Sequence, residues 1–278
     1  MGIGEQGLWL ALIIGNSRWH WGAFEGDRWL GSWHTLHLTE AQTDQLQQSR
    51  FALSAWQQLG IETVLPSNPG DGGQEHQELW MASVVNTPAA WLVSSAHVHP
   101  IATKQVPLQN TYPTLGVDRA LALVGAGDRW GWPVLVIDCG TALTFTAGAD
   151  QRLIGGAILP GLRSQFRALP AHTDQLPALE FDPDVWPQRW ATNTSEAMVS
   201  GILHTQLAGI RDFVVAWEAD WPSGAVVLTG GDSAAIYRYL AKQTPTLAQR
   251  INHDPDLGFW GLRVCRQQKL EKPSAIGL

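Results

Sequence analysis

Residues 138–141 (Asp-Cys-Gly-Thr) combine side chains that could bind a cation and a phosphate group together. They follow a β-branched apolar run at 134–137, short enough to be a buried strand, and a second β run follows at 143–146. Glycine allows a tight turn and close backbone approach, and threonine adds a hydroxyl beside exposed amides. The alternative interpretation of this stretch alone is an ordinary Asp-x-Gly hairpin.

Two more short segments carry polar groups at the ends of predicted elements. Residues 116–119 (Gly-Val-Asp-Arg) precede a small-residue helix at 120–126, so Asp118 and Arg119 lie near its start. The simpler interpretation is an aspartate favoured by the helix dipole, with Arg119 in a surface ion pair. Residues 229–233 follow an apolar strand at 225–228 and precede a helix that runs to about 242. Their glycine pair would let a ring or a phosphate approach the backbone, or would simply connect the two elements.

An internal repeat indicates how these segments are arranged. At an offset of 125 positions Gly140 aligns with Gly15, Asp138 with Ile13 and Thr141 with Asn16. Each copy reads as strand, glycine turn, strand, polar turn and third strand. The sequence therefore predicts two duplicated domains.

Apolar periodicity predicts the remaining elements. The first half is predicted to contain strands near 8–14, 18–24 and 28–36, a helix at 39–59 with Thr39 as N-cap, a strand at 61–65 and a loop at 66–73. Segments 81–85 and 90–93 fit a strand or a helix. The second half adds a sheet end at 155–161, helices at 195–216 and 255–266, and a polar tail from 267. A G-x-G-x-x-G sequence at 2–7 precedes a strand instead of following one, so it is not interpreted as a dinucleotide motif.

Length and composition indicate a soluble globular protein of one large or two ordinary domains. The 278 residues are 45% hydrophobic with a net charge of −7, which argues against a nucleic-acid-binding surface. Two cysteines form no disulfide framework, so a reducing cytoplasm is expected. No apolar stretch approaches the ~20 residues of a membrane span, and no signal peptide is recognised.

Six motifs taken in order resemble one family, the type III pantothenate kinases of the actin, hexokinase and Hsp70-like ATPase superfamily. They cover residues 10–235 or so. The matching segments are 15–17 (GNS), 116–119 (GVDR), 138–141 (DCGT), 155–161 (GGAILPG), 194–198 (TSEAM) and 229–231 (TGG). Each motif alone is weak evidence for the family, whereas six motifs in the order of the family are specific to it.

The resemblance implies a fold and an activity. The fold would be two duplicated ribonuclease-H-like α/β lobes, 1–130 and 131–278, with a nucleotide cleft between them. The reaction would be ATP-dependent phosphorylation of pantothenate to 4'-phosphopantothenate, the first step of coenzyme A biosynthesis. It would use ATP with Mg²⁺ and a monovalent cation, K⁺ or NH₄⁺. A cytoplasmic homodimer is implied, with no nucleic-acid or membrane partner.

The resemblance also implies roles for individual residues. Asp118 would be the base that accepts the proton of the substrate hydroxyl, a role that suits a transfer governed by positioning. Asp138 would hold the monovalent cation. The implied pantothenate-binding residues are Tyr112, Gly116, Val117, Asp118, Arg119 and Thr194. The implied ATP-binding residues are Ile13, Ile14, Gly15, Asn16, Ser17, Arg18, Trp19, His20 and Thr141.

Two positions depart from the family pattern. Family members carry an aspartate that helps to place Mg²⁺ where this chain has Ile13, and hard cations require oxygen ligands. A substrate-contacting tyrosine often lies nine residues before the catalytic aspartate, where this chain has Gln109; Tyr112 is the nearest tyrosine. Ile13 favours an alternative, a non-catalytic accessory relative of the same fold. Another phosphotransferase or phosphatase on this fold is the third interpretation.

Overall fold

Ten strands form the framework of the protein, whose computed structural model describes residues 7–66, 78–85, 95–173 and 175–271. The first five are β1 (Leu8–Ile14), β2 (Trp19–Glu25), β3 (Arg28–Thr35), β4 (Glu78–Ser83) and β5 (Val98–Pro100). The others are β6 (Val134–Cys139), β7 (Ala142–Ala149), β8 (Arg152–Pro160), β9 (Ala225–Thr229) and β10 (Ile251–His253). The segment 90–93 lies outside the described residues, as do the glycine motif at 2–7 except Gly7 and the loop at 66–73 except Pro66.

Eight α-helices accompany the strands within the described residues. They are α1 (Glu40–Gln48), α2 (Leu53–Gln58), α3 (Val117–Trp130), α4 (Leu162–Ala171), α5 (Thr194–Asp220), α6 (Ser233–Gln243), α7 (Pro245–Ala248) and α8 (Leu257–Glu271). A short 3₁₀ turn lies at Thr103–Gln105. No helix in the described part of the chain is long and apolar enough to cross a membrane.

The two sheets have the same topology. Their strand orders are β3-β2-β1-β4-β5 and β8-β7-β6-β9-β10. In each sheet the first three strands of the copy pair antiparallel, and the fourth and fifth run parallel to the first. This agreement confirms the duplicated α/β architecture that the repeat predicts.

The chain divides into two compact units. Unit 1 comprises residues 1–107, 112–125 and 258–278, and unit 2 comprises 108–111 and 126–257. The C-terminal helix thus belongs to the first unit by its contacts, although it comes last in the sequence. The domain bounds 1–130 and 131–278 stay a prediction.

Alternation along β1 assigns its residues to two faces of the unit 1 sheet. Leu10, Leu12 and Ile14 are fully buried in a core that Trp21 and Trp56 share. On the other face the Trp9 ring stacks on Phe24 with centroids 4.3 Å apart. Helix α8 covers that face, since the Arg266 guanidinium lies 5.0 Å from the Trp9 ring.

Three sequence-based boundaries in unit 1 are wrong. The helix predicted at 39–59 is two helices, because Arg50 and Phe51 adopt positive φ and turn the buried Phe51 ring into the core. The predicted N-cap Thr39 is confirmed, and it forms a capping box with Gln42. Segment 61–65 is not a strand; it follows α2, and the Ile61 N–H donates to the Trp56 carbonyl. The tail predicted from 267 is helical as far as Glu271.

Unit 2 packs its long helix α5 and helix α6 against the second sheet. Ile137, Leu203, Ile210, Leu228 and Ile236 are fully buried in that core. The Asn193 side chain caps α5 by accepting from the Glu196 N–H at 3.0 Å. The predicted helix at 195–216 and strand at 225–228 are confirmed with slightly wider bounds.

Candidate active site

The first turn of α3 carries Asp118, half-buried in unit 1. One carboxylate oxygen, Oδ1, accepts from the Arg119 backbone N–H at 2.8 Å. Burial raises the pKa of Asp118, and the Arg119 hydrogen bond and charge oppose that rise only in part. A carboxylate with a raised pKa accepts a proton more readily, as a general base must.

Gly116 is required for this arrangement of Asp118. A Cβ atom at position 116 would collide with Asp118 Oδ1. The preceding loop is held in place because Thr103 Oγ1 donates to the Leu115 carbonyl at 3.0 Å and the Leu115 N–H donates to the Tyr112 carbonyl. The glycine of the motif therefore makes room for the folded-back carboxylate.

Arg119 is an interior residue. It is 7% exposed, so the surface-ion-pair interpretation of this arginine is wrong. Its Nη1 donates to the Tyr112 hydroxyl at 2.9 Å. Tyr112 is thereby tied to the motif within unit 1, which supports its place in the predicted substrate set.

Gln109, at the family's tyrosine position, is engaged elsewhere. In unit 2 its backbone N–H donates to the Gln151 carbonyl, and its side-chain oxygen accepts from Arg152 Nη1 at 3.1 Å. These bonds extend the edge of β8. The residue that could contact a ligand near Arg119 is therefore Tyr112.

A cavity of about 650 Å³ in unit 1 is lined by Gly116 and Val117, the two residues before Asp118. Its volume suits a small organic substrate. Most of the wall is apolar, and the polar side chains that line it belong to Ser83, Thr103, Lys104 and Gln105. Lys104 supplies the one cationic side chain among these described lining residues, and it forms no ion pair within the described chain.

Sequence reasoning missed this polar lining. Residues 103–105 form a 3₁₀ turn that carries no motif, and Ser83 ends a strand whose type the periodicity left open. An isolated lysine on an irregular segment gives no signal by spacing. The fold brings it beside Gly116.

The turn between β1 and β2 carries the predicted ATP-binding residues of unit 1. The Gly15 N–H donates to the Arg18 carbonyl at 3.0 Å, and His37 Nε2 lies 3.1 Å from the Gly15 carbonyl. Asn16, Ser17 and Arg18 are exposed at its tip. Ile14 and Trp19 are fully buried, so only their backbone groups could contact a nucleotide.

Ile13 and His20 face each other as cross-strand partners beneath this turn. A Cβ atom on Gly258 would lie 2.6 Å from Ile13 Cδ1, so Ile13 packs against the first turn of α8. Burial, followed by the charges of His34 and Arg18, lowers the pKa of His20 to about 4. At neutral pH this pair therefore offers an aliphatic side chain and an uncharged imidazole.

The turn between β6 and β7 is the equivalent position of unit 2. The Gly140 N–H donates to the Ala142 carbonyl at 3.1 Å, and the half-buried Asp138 precedes it. Gly230, with φ +93°, packs against this turn, since a Cβ there would collide with Asp138 Oδ1 and lie 2.8 Å from the Cys139 backbone nitrogen. Thr141 is exposed. The Asp138 carboxylate, which the resemblance assigns to a cation, thus packs closely against Gly140 and Gly230.

A second carboxylate, missed by sequence reasoning, adjoins Asp138. The Asp232 N–H donates to the Cys139 carbonyl at 2.9 Å, and its Oδ1 accepts from Arg163 Nε at 2.9 Å. Burial, and then the Asp138 and Asp232 charges, raise the pKa of the Cys139 thiol well above its ordinary range. Cys139 is therefore not a thiolate nucleophile.

The potential cation ligands at this turn are oxygen atoms, the Asp138 carboxylate with nearby carbonyl and hydroxyl groups, and hard cations take such ligands. Among the described residues no group of three or more His, Cys, Asp or Glu side chains could hold a metal ion. Thr194, the last predicted substrate residue, is the exposed first residue of α5 in unit 2.

Comparison with solved structures defines the class of the fold. A Baf family transcriptional activator from Campylobacter jejuni superposes with a TM-score of 0.60 at 17% identity, covering 95% of this chain and all of that one. A protein described as a 2-dehydro-3-deoxygalactonokinase from Sinorhizobium meliloti gives 0.51 at 14% identity, with 97% and 99% covered. The protein therefore shares the duplicated α/β fold of these two proteins.

Sequence comparison defines the family within that class. The type III pantothenate kinase family matches residues 9–216. A type III pantothenate kinase of a Nostoc species is 43% identical, with 93% of this chain and 94% of that protein covered. One from a Synechococcus species is 41% identical, with 97% and 98% covered. The chain belongs to the type III pantothenate kinase family.

Proposed function

We propose that the chain transfers the γ-phosphoryl group of ATP to the primary hydroxyl of pantothenate, which yields 4'-phosphopantothenate and ADP in the first step of coenzyme A biosynthesis. The observation that carries the assignment of roles is Asp118, whose carboxylate has a raised pKa at the helix start beside the 650 Å³ cavity. Family membership supplies the reaction.

Asp118 acts as the base in this proposal. As the hydroxyl oxygen bonds to the γ-phosphorus, its proton passes to the Asp118 carboxylate and the bond to the ADP oxygen breaks. Because such transfers depend mainly on positioning, the carboxylate also orients the alcohol. Arg119 and Tyr112 hold the neighbouring wall through their hydrogen bond.

The unit 1 cavity receives pantothenate. Gly116 and Val117 line it, and Lys104 pairs with the carboxylate at the far end of the substrate from its reactive hydroxyl. An ammonium group without another ion-pair partner among the described residues suits that role. The family resemblance also assigns Thr194 to pantothenate recognition.

The turn at 15–18 contacts ATP through its backbone amides and exposed polar side chains, and the family resemblance assigns Thr141 to ATP as well. Backbone amides in turns bind phosphate whatever the side chain. When bound, Mg²⁺ neutralises charge on the phosphates. Ile13 packs on Gly258 and offers no oxygen, so this chain places Mg²⁺ without a ligand at that position.

We further propose that Asp138 holds K⁺ or NH₄⁺. The protein acts as a homodimer in the cytoplasm, with neither nucleic acid nor a membrane as partner. The family resemblance supports the cation and the dimer, and the net charge of −7 supports the exclusion of nucleic acid.

Asp118→Asn tests the central assignment. We expect a fall in kcat of at least ~100-fold, the contribution of a general base, with pantothenate affinity by calorimetry close to that of the parent. Asp128→Asn, on the same helix but exposed, is the matched control and keeps full activity. An Asp118→Asn variant that turns over like the parent removes Asp118 from the role of base. Tight pantothenate binding without any phosphotransfer in the parent would instead support the accessory-protein alternative.

Lys104→Met tests substrate orientation in the cavity. The parent and variant are compared on pantothenate and on pantothenol, which has an alcohol in place of the carboxylate. Loss of one charge-assisted bond raises KM for pantothenate by ~10-fold and leaves KM for pantothenol unchanged. Gln105→Met changes the same lining without changing its charge and serves as control. Equal effects on both substrates would show that Lys104 does not bind the carboxylate.

A further inference from the structure

A second cavity, of about 50 Å³, lies in unit 2 on one face of α5. His204 and Arg211, seven residues apart on that face, line it together with Arg189 and with Gln243 and Thr244 at the end of α6. We call it the α5 cavity. None of the pantothenate-kinase motifs includes these residues, and the proposed reaction does not use them.

His204 presents an unsatisfied buried atom to this cavity. The residue is 8% exposed, and its Nδ1 has no hydrogen-bond partner among the described residues. Its Nε2 lies 3.4 Å from the Pro187 carbonyl, and the ring meets Trp186 edge to face. A carbonyl only accepts, so Nε2 carries the hydrogen and Nδ1 of the neutral ring is a lone pair. A buried lone pair of this kind requires a donor.

Two guanidinium groups supply positive charge at the same cavity. Neither Arg189 nor Arg211 forms an ion pair within the described chain. The ammonium of Lys242 lies 5.1 Å from the Trp186 ring, which adds a third cation nearby. At the end of α6 the Leu240 carbonyl is occupied, because the Thr244 N–H and hydroxyl both donate to it. The cavity therefore favours an anion.

The volume limits what can enter. A buried water needs ~10–15 Å³ on this measure, so about 50 Å³ admits a few waters or one tetrahedral oxyanion. A nucleotide or a coenzyme is far too large to be enclosed. A small anion that also carries a hydrogen-bond donor fits both the volume and the lining of the cavity.

We propose that the α5 cavity binds inorganic phosphate as hydrogen phosphate, HPO₄²⁻. Its unprotonated oxygens accept from Arg189 and Arg211, and its P–OH group donates to His204 Nδ1. Sulfate has the same shape and charge but no proton, and a phosphomonoester dianion lacks one as well. The lone pair of His204 thus makes the site prefer HPO₄²⁻ to sulfate and to phosphomonoesters. Guanidinium groups alone would not distinguish these anions.

Calorimetric titration tests this assignment at about pH 8. At that pH free inorganic phosphate is HPO₄²⁻, whereas sulfate and the phosphomonoester dianion carry no proton on the anionic group. Inorganic phosphate, sulfate and methyl phosphate are titrated at matched ionic strength into the full chain, with pantothenate and a non-hydrolysable ATP analogue present to fill the proposed catalytic site. We expect phosphate to bind at one site and both other anions to bind at least ~10-fold more weakly, the value of one hydrogen bond to a charged group.

Arg189→Gln and Arg211→Gln locate the site. Each is expected to weaken phosphate binding by ~10-fold through loss of one charge-assisted hydrogen bond. Arg167→Gln removes an exposed arginine of α4 and is the matched control, with unchanged binding. Equal affinity for phosphate and sulfate overturns the proposal, because Nδ1 would then play no part. Phosphate binding that is absent, or unaffected by either cavity variant, overturns it as well; in that case only water occupies the cavity.

Discussion

The turns after β1 and β6 occupy the same place in two copies of one strand order, yet their side chains differ in charge. The first, at residues 15–18, follows Ile13 and carries Arg18, with His20 and His37 close to Gly15. The second, at 140–141, follows Asp138 and adjoins Asp232. The first is closed from Gly15 to Arg18, and the second from Gly140 to Ala142, one residue tighter.

This difference in charge supports the separate roles proposed for the two turns. A turn with an arginine and no carboxylate suits anionic phosphates, whereas the Asp138 carboxylate suits a cation; the charge of Asp232 is offset by Arg163. The shared glycine preserves the backbone in both copies. The four variants below would break or sharpen this division of roles, in order of the expected effect.

Gly230→Ala should have the largest effect. An added Cβ would collide with Asp138 Oδ1 and lie 2.8 Å from the Cys139 backbone, at a φ of +93° that alanine disfavours. We expect a loss of ~3 kcal/mol in the free energy of unfolding together with loss of activity, measured by denaturant titration and by assay.

Gly231→Ala is the matched control, because a Cβ there meets nothing within 4 Å. Gly15→Ala extends the comparison to the first turn, where the nearest atom, the Arg18 carbonyl oxygen, is 3.2 Å away, and its cost should be smaller. If Gly230→Ala were as stable as Gly231→Ala, the second turn would not require glycine at position 230.

Asp138→Asn should affect cation use with little effect on thermal stability. Removing one formal charge from a half-buried hard ligand should raise the K⁺ or NH₄⁺ concentration for half-maximal rate by ~10-fold. Asp150→Asn, in the exposed turn between β7 and β8, is the control. An unchanged salt-activation curve would leave Asp138 as a turn residue only.

Ile13→Asp would make the first turn resemble the second. A new oxygen ligand should lower the Mg²⁺ concentration for half-maximal rate by ~3-fold or more, while loss of the contact with Gly258 lowers Tm. Ile13→Val keeps the side chain apolar and should leave the Mg²⁺ dependence unchanged. A folded Ile13→Asp variant with the parental Mg²⁺ and ATP dependence would show that this turn never contacts the metal.

His20→Asn should have the smallest effect, confined to acid pH. Because the pKa of folded His20 is about 4 and the ordinary value is 6.5, protonation favours the unfolded chain between those values. The contribution of neutral His20 to stability is therefore complete above pH 6.5 and is lost as pH falls toward 4. The parent should lose stability more steeply than the variant over this window in urea titrations. Identical slopes would mean that His20 protonates as readily in the folded state.

The sequence predicted the architecture well because its strongest signal, the repeated strand and glycine pattern, reports the topology directly. Helix ends carried by side-chain chemistry were also predictable, as Thr39 shows. The break at Arg50 and Phe51 was not, since neither residue type favours positive φ and the buried Phe51 ring enforces it. Segment 61–65 reads as a strand by composition alone, but it has no ladder partner within the described residues.

The residues of the candidate site also divide into those that the sequence predicts and those that it does not. Motif residues such as Gly116 and Asp118 could be found from their spacing, and the reason for Gly116 became visible only when its missing Cβ met Asp118. Lys104, Arg163 and Asp232 could not be found as site residues, because long-range folding alone brings them beside the motifs. The burial of Arg119 likewise depends on tertiary contacts that no local pattern encodes.

Helix α8 has a consequence for how the chain folds during synthesis. Residues 126–257 form one uninterrupted stretch and include nearly all of unit 2, whereas unit 1 requires residues from both ends of the sequence. Gly261 lies so close to α3 that a Cβ would collide with the Leu121 backbone, and Trp260 packs on Trp29. A nascent chain therefore holds the face of its first sheet that carries Trp9 and Trp29 uncovered until α8 has left the ribosome. Synthesis of unit 1 begins before that of unit 2, but unit 1 is completed after it. This reverses the usual N-terminal-first order of domain folding.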